Sequence, residues 1–206
     1  MIWLSWALAG KVTVPVDVGV GPAAYTLTGP VAQDQLLHSG LSLSVYAVLD
    51  KKTLRRHRKK IPKEYRQAVK QMDEVRISPS IWIPDHLILS PPVNGTGLYG
   101  VSWEPFTVGV PLGRYLDADL GLVATAAWLH SDSLPNTLFL RPGLSASLEW
   151  EIPLSKQYLV SFGWDSKVYV PQELGSLAIA QDLDSIWHIG HGFVELHVRF
   201  PYTVKL

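Results

Sequence analysis

The sequence predicts an all-β fold, an eight-stranded antiparallel transmembrane β-barrel with one basic helical insertion between strands 2 and 3. Three observations carry this. The stretch from Leu138 to Ile152 alternates: Leu138, Leu140, Pro142, Leu144, Ala146, Leu148, Trp150 and Ile152 fall on one parity, and Arg141, Gly143, Ser145, Ser147, Glu149 and Glu151 on the other. A strand sends successive side chains to opposite faces, whereas a helix would scatter those leucines around its circumference. The alternation recurs along the chain, in runs near the roughly 9–11 residues a strand needs to cross a bilayer. Finally, no apolar run is long enough for a membrane-spanning helix. A closed barrel is then the remaining way to cross, because lipid cannot satisfy an open sheet edge.

Met1–Gly10 (MIWLSWALAG) is apolar and ends Ala7-x-Ala9. It reads as a signal peptide, short or truncated, or as an apolar N-terminal end. Residues 11–206 then form one barrel domain. The first strand has Val12, Val14, Val16, Val18 and Val20 on one face, against Thr13, Asp17, Gly19 and Gly21. After a loop over about 28–39, Leu41, Leu43, Val45, Ala47 and Leu49 alternate with Ser42, Ser44, Tyr46 and Asp50. The period breaks over 51–73. There Pro62 suits a first helical turn, and Tyr65, Ala68, Val69 and Met72 make a helical apolar stripe. The third strand runs from Val75 to Ile83, with Arg76, Ser78 and Ser80 opposite the apolar set. A turn cluster at 90–97 leads to Tyr99, Val101 and Trp103, with a register change expected near Pro105. After a turn at Gly113-Arg114, Leu116 to Trp128 alternates with Asp117, Asp119, Gly121 and Thr125. The Leu138 strand, a tight turn at Ser155-Lys156-Gln157, a strand from Tyr158 and a last strand from Val194 to Tyr202 complete eight. The even number brings both ends of the domain to one side, with short turns there and longer loops opposite.

Composition limits the chemistry. Cysteine is absent, which excludes disulfides, thiol nucleophiles and cysteine metal sites. Net charge is zero but uneven. Residues 51–70 hold ten Lys/Arg and one acid, and the rest of the chain holds eight Lys/Arg and seventeen acids. A compact basic segment is therefore set in an acidic body.

Alternation alone fits a soluble sandwich as well as a membrane barrel. The polar parity decides for the barrel. It is rich in Ser, Gly, Asp and Thr, with few lysines, and suits a crowded lumen better than a soluble surface. Trp103, Trp128, Trp150, Tyr158 and Tyr202 sit on the apolar parity near strand ends, where aromatic girdles form. With this pattern the chain resembles the small bacterial outer-membrane β-barrels over about residues 11–204. The resemblance rests on pattern, and its last strand, Phe193–Tyr202, looks like the C-terminal assembly signal of that class. The ending Thr203-Val-Lys-Leu206 departs from the aromatic residue usual there. The resemblance implies a Gram-negative outer-membrane location, with outer-membrane lipid around the wall.

The inward polar set comprises Asp17, Arg76, Glu104, Arg141, Glu149, Glu151, Asp165, Lys167, Glu195, His197 and Arg199. Isolated buried charges are too costly, so these are expected to pair and plug the lumen rather than line a pore. His188 has the opposite parity to His191 and His197, which argues against a metal site, and no cofactor is expected. Lipid A deacylases are eight-stranded barrels with a His-x-Ser near the last strands. This chain has His188-Ile189-Gly190, without the hydroxyl, and no GxSxG, HExxH, P-loop or GxGxxG, so no catalytic residue is assigned. Lys51, Lys52, Arg55, Arg56, Arg58, Lys59, Lys60, Lys63 and Arg66 form the sharpest surface feature. On the periplasmic side they suit anionic phospholipid headgroups, peptidoglycan or a periplasmic protein, and not nucleic acid. The expected role is a non-enzymatic structural or interaction protein. The alternatives are a soluble lipocalin-like ligand-binding barrel and a membrane-embedded lipid-modifying enzyme.

Overall fold

The computed structural model describes residues 11–28, 38–51, 55, 63, 66–67, 74–77, 84–93, 95–132, 137–169 and 188–205. Nine strands form one sheet: β1 (Lys11–Thr28), β2 (His38–Asp50), β3 (Glu74–Ile77), β4 (His86–Val93), β5 (Thr96–Pro111), β6 (Leu116–Ser131), β7 (Thr137–Pro153), β8 (Tyr158–Tyr169) and β9 (His188–Lys205). Every pairing is antiparallel, and β1 pairs with both β2 and β9, so the sheet closes. Strands β3 and β4 both lie between β2 and β5, one towards each end, and together make one stave. The barrel therefore has eight staves. The helical insertion expected over 51–73 falls almost wholly outside the described residues.

The register can be followed once round the wall. From Asp50 it passes through Glu74, Gly109, Asp119, Ser147, Asp165, His191 and Tyr25, and returns to β2 at His38, twelve residues from its start. With strand spacings of about 4.8 Å and rises of about 3.3 Å, that stagger tilts the strands by about 45°.

The two ends differ. At the turn end, Leu112 and Gly113 amides donate to the Leu116 carbonyl at 2.9 and 3.1 Å, and Leu154 and Ser155 amides to that of Tyr158, both at 3.0 Å. The Ser155 hydroxyl also accepts the Gln157 and Tyr158 amides at 3.1 Å. The pair Asp50–Glu74 places both ends of the 51–73 connection on this side, along with Lys11 and Lys205.

At the loop end three strands run further than the alternation indicates. β1 reaches Thr28, β9 begins at His188, and the expected 90–97 loop is a hairpin turn between β4 and β5. Gly95 takes φ 82° there, a left-handed conformation that Asn-Gly sequences favour. Of the expected third strand, β3 is described to Ile77 and 78–83 lie outside the described residues, and β4 starts at His86, beyond the expected end. The β5 register shifts between Trp103 and Phe106, around Pro105, where no ladder N–H exists.

The outward wall is apolar. Val20, Leu41, Leu120, Leu122, Leu138, Leu140, Leu144, Leu148, Val168, Val194 and Leu196 are exposed there. No outward position of β6 between Leu116 and Trp128, or of β7 between Leu138 and Ile152, carries a charge. Aromatic groups mark both rims. Trp150 stacks on Phe162 at 5.4 Å, with Tyr115 and Tyr158 exposed near the turns, and Trp128 lies 5.9 Å from Tyr99 towards the loops. From Leu116 to Trp128 the strand rises about 40 Å, or about 28 Å along the axis at this tilt, close to a bilayer's hydrocarbon thickness.

Candidate functional site

The inward positions divide the lumen in two. Towards the loops it is packed with apolar side chains: Tyr25, Leu27, Ile88, Leu98, Val123, Ala127, Leu129, Tyr169 and Ile189 are all buried. This corrects the expectation of a polar lumen throughout. Both faces of the wall are apolar here, so the polar alternation fades although the strands continue.

Towards the turns the lumen is filled with charge. Arg199 grips its register partner Asp17 with two parallel bonds, Nε to Oδ1 at 2.7 Å and Nη2 to Oδ2 at 2.6 Å. Arg76 reaches across the barrel from β3 to β7. It donates to Glu149 at 2.5 Å and Glu151 at 2.7 Å, lies 3.7 Å from Asp119, and covers the Tyr46 ring at 4.8 Å. Lys167 bridges Glu104, at 2.7 Å, and Asp165. Glu104 also accepts the Thr107 and Ser145 hydroxyls at 3.3 Å. Glu195 accepts the Ser42 hydroxyl, and that of Ser44 at 2.5 Å. Arg141 is buried on the same inner face.

Among the described residues, the carboxylates Asp17, Asp85, Glu104, Asp119, Glu149, Glu151, Asp165 and Glu195 meet the strong bases Arg76, Arg141, Lys167 and Arg199 in this part of the lumen. Hydroxyls and a backbone amide supply further donors. Ser147 donates to Asp119 at 3.1 Å, and the Glu104 amide donates to Asp85. Between these groups lies a cavity of about 40 Å³, room for about three waters. Among the described residues, apolar packing fills the lumen at one end and ion pairs fill it at the other.

Asp85, Asp119 and His86 also line this space but were not in the inward set read from sequence, and His191, weighed there only as a metal ligand, lines it too. Asp119 had the inward parity and could have been included. Asp85 and His86 lie beyond the point where proline ended the readable third strand. His191 stacks on Tyr25 at 4.8 Å, and His86 meets it edge-on at 6.2 Å. Among the described residues no group of three or more His, Asp or Glu is arranged to hold a metal ion.

Ser161, His197 and Glu195 have the residue types of a hydrolytic triad, but their geometry differs. Ser161 Oγ, at 2.8 Å, and Glu195 Oε2, at 3.1 Å, both meet the same ring nitrogen, Nε2. A working base needs its orienting partner on the other nitrogen. Ser161 and His197 are also completely buried, so the arrangement is part of the plug. His188 instead faces outward, bonded to Ser166 and Thr28. Of the basic segment, Lys51, Arg55, Lys63 and Arg66 are described, with Arg55 and Lys63 exposed. Lys52, Arg56, Arg58, Lys59 and Lys60 lie outside the described residues.

The fold and lumen define an all-β, closed eight-stranded antiparallel barrel with an apolar outer wall and a plugged interior. The chain matches no protein-family model and no curated protein. Similar solved structures include Ail, the attachment invasion locus protein of Yersinia pestis, in complex with the heparin analogue sucrose octasulfate. It is 9% identical, with 91% of this chain and 99% of that one covered and a TM-score of 0.43. Ail alone gives 9% identity, 92% and 100% coverage and a TM-score of 0.42. Neisserial surface protein A gives 9% identity, 94% and 99% coverage and a TM-score of 0.41.

Arg76 neutralises carboxylates on a strand it does not pair with. Arg76→Met should therefore leave Glu149 and Glu151 confronting each other and lower stability by about 3–5 kcal/mol, as when one partner of a buried ion pair is removed. Urea unfolding in detergent micelles measures this, and an unchanged midpoint would contradict the assignment.

Proposed function

We propose that this chain is an integral barrel of a bacterial outer membrane, with a sealed lumen, whose work is done at its surfaces. One observation carries the reading: twenty-three large apolar side chains among the described residues are exposed, while the charges point inward. A soluble monomer rarely exposes apolar patches beyond a few hundred Å². A lipocalin-like soluble barrel would need the reverse, a polar exterior around an apolar ligand cavity. The apolar wall is also about one bilayer tall, and closure leaves no strand edge for lipid to satisfy. No described helix is long and apolar enough to cross a membrane, so crossing would be by strands.

The basic segment extends this reading to a structural or interaction role. On the turn side, Lys51–Arg66 would meet anionic headgroups, with peptidoglycan or a periplasmic protein as other contacts of the same charge. The wall beside its two ends carries a closely packed apolar patch. Val14, Val16, Ala47, Leu49 and Val75 point outward near the Asp50–Glu74 pair, yet are only 1–5% exposed and form a cluster with Val18, Val45 and Phe106. Outward residues farther along the wall, such as Leu120 at 66% and Leu144 at 62%, are open. The stripe Tyr65, Ala68, Val69 and Met72 is the apolar surface the insertion has for such packing.

Two measurements test these statements. Leu144→Arg should destabilise insertion into lipid vesicles by about 2–4 kcal/mol, the cost of an arginine at mid-bilayer on a barrel's lipid face. A soluble barrel would tolerate an arginine at this exposed site. Neutralising Arg55, Arg56, Arg58, Lys59 and Lys60 together should weaken attachment to anionic vesicles by about 1 kcal/mol per charge, with a smaller salt dependence. Equal binding by the neutralised protein would remove the headgroup contact.

A further inference from the structure

We propose that the cavity in the lumen binds a hard divalent cation, magnesium or calcium, together with part of its water shell. One part of the cavity is acidic. Lys167 bonds both Glu104 and Asp165, one cation between two carboxylates, and a third carboxylate, Asp85, accepts the Glu104 amide. All three acids line the same space. Lys167 leaves its own trio with Glu104 and Asp165 negative, and close carboxylates in a poorly hydrated space repel.

A second observation points to a guest. Asp165 Oδ1, His191 Nε2 and His86 Nδ1 belong to residues lining this space, and none has a hydrogen-bond partner among the described residues. Asp165 and His191 are 5% and 4% exposed, so bulk water does not serve these atoms. The register pairs Asp165 with His191, and the His86 ring meets the His191 ring edge-on at 6.2 Å. His86 Nδ1 lies 3.6 Å from Glu104 Oε1, too far for a bond. All three atoms are acceptors: the carboxylate oxygen always, and each imidazole nitrogen in the tautomer that carries its proton on the other side. A cation-bound water turns its hydrogens outward and supplies what they lack. Free waters would meet the hydrogen bonds but not the charge.

Size and donor type select the ion. A cavity of about 40 Å³ holds an ion with about two waters. Among the described residues no three His, Asp or Glu converge for direct ligation, so the shell is one or two carboxylate oxygens completed by water and hydroxyl oxygen. Hard divalent cations bind in this way, and such oxygen donors suit magnesium and calcium better than copper or zinc. The Thr107 and Ser145 hydroxyls, each donating to Glu104 Oε2 at 3.3 Å, keep oxygen lone pairs for the ion. An ion held here ties β4, β5, β7, β8 and β9 to one centre, so its effect is on the stability of the closed barrel.

The test folds the whole chain in detergent micelles at fixed ionic strength with EDTA, with magnesium or with calcium, and then desalts it into metal-free buffer. Elemental analysis should find about one ion per folded chain, and the urea midpoint should rise with cation concentration, because the ion binds the native state. The metal that is retained identifies the preferred ion. His191→Phe should weaken the affinity by about 10–100-fold, the usual cost of losing a group that orients a metal's ligands. Asp165→Asn should weaken it at least as much. Asp132→Asn, at an acid whose side chain is 77% exposed, should bind as the parent does. Heat-dependent electrophoretic mobility checks that each variant is folded, and if Asp165→Asn does not fold, His191→Phe decides. A folded parent that retains neither ion and unfolds at the same urea concentration in EDTA and in both cations would overturn the site. Equal affinity in folded His191→Phe would overturn it too.

Discussion

Closure of β1 onto both β2 and β9 is the constraint on which everything else depends. A sheet left open would expose a row of unpaired amides and carbonyls, each expensive to place in hydrocarbon. Closing it at eight staves with a stagger of twelve residues settles the tilt and the width. It also turns alternation in sequence into inside and outside in space. Every second residue is then committed either to a narrow lumen or to whatever surrounds the wall. A one-residue slip of any strand would put its carboxylates outside and its leucines inside.

The interior solves the problem this creates. Eight strands bring many polar side chains into a space that little water can enter, and each must find a partner there. The long cations do this by reaching across. Arg76 serves acids on β6 and β7, and Lys167 joins its own strand to β5. Such pairs are costly to break, yet need not outweigh the desolvation of their members. They specify which strands face one another and fill the lumen, while apolar packing provides the seal at the loop end. The interior is thus packed as a core, with polar and apolar layers stacked along the axis.

The parity of the wall was readable because its outer face is uniform. Leu138 to Ile152 announces the strand, its orientation and, through Glu149 and Glu151, its inward charges. The turns at Gly113 and Ser155 were equally plain. Legibility failed where the two faces became alike or where proline interrupted the period. Ala23, Tyr25 and Leu27 continue β1 into an apolar part of the lumen, so no contrast marked the strand. Pro84 ends the readable third strand just before Asp85 and His86. The bonding of His188 to Ser166 and Thr28 was invisible for another reason: the three residues lie on different strands and are brought together only through register.

The central claim is that the apolar wall faces lipid, and the tryptophans already on it can report this directly. Trp128, Trp150 and Trp164 all point outward and are 36–43% exposed. The protein should be folded into vesicles whose acyl chains carry bromine and compared with vesicles that do not. Bromine quenches only fluorophores in contact with the chains. The account predicts strong loss of tryptophan emission in brominated lipid, reduced by Trp128→Phe, Trp150→Phe and Trp164→Phe in turn. Equal emission in both lipids, from a protein that stays folded in buffer without detergent, would contradict it and make the outer wall an interface with protein.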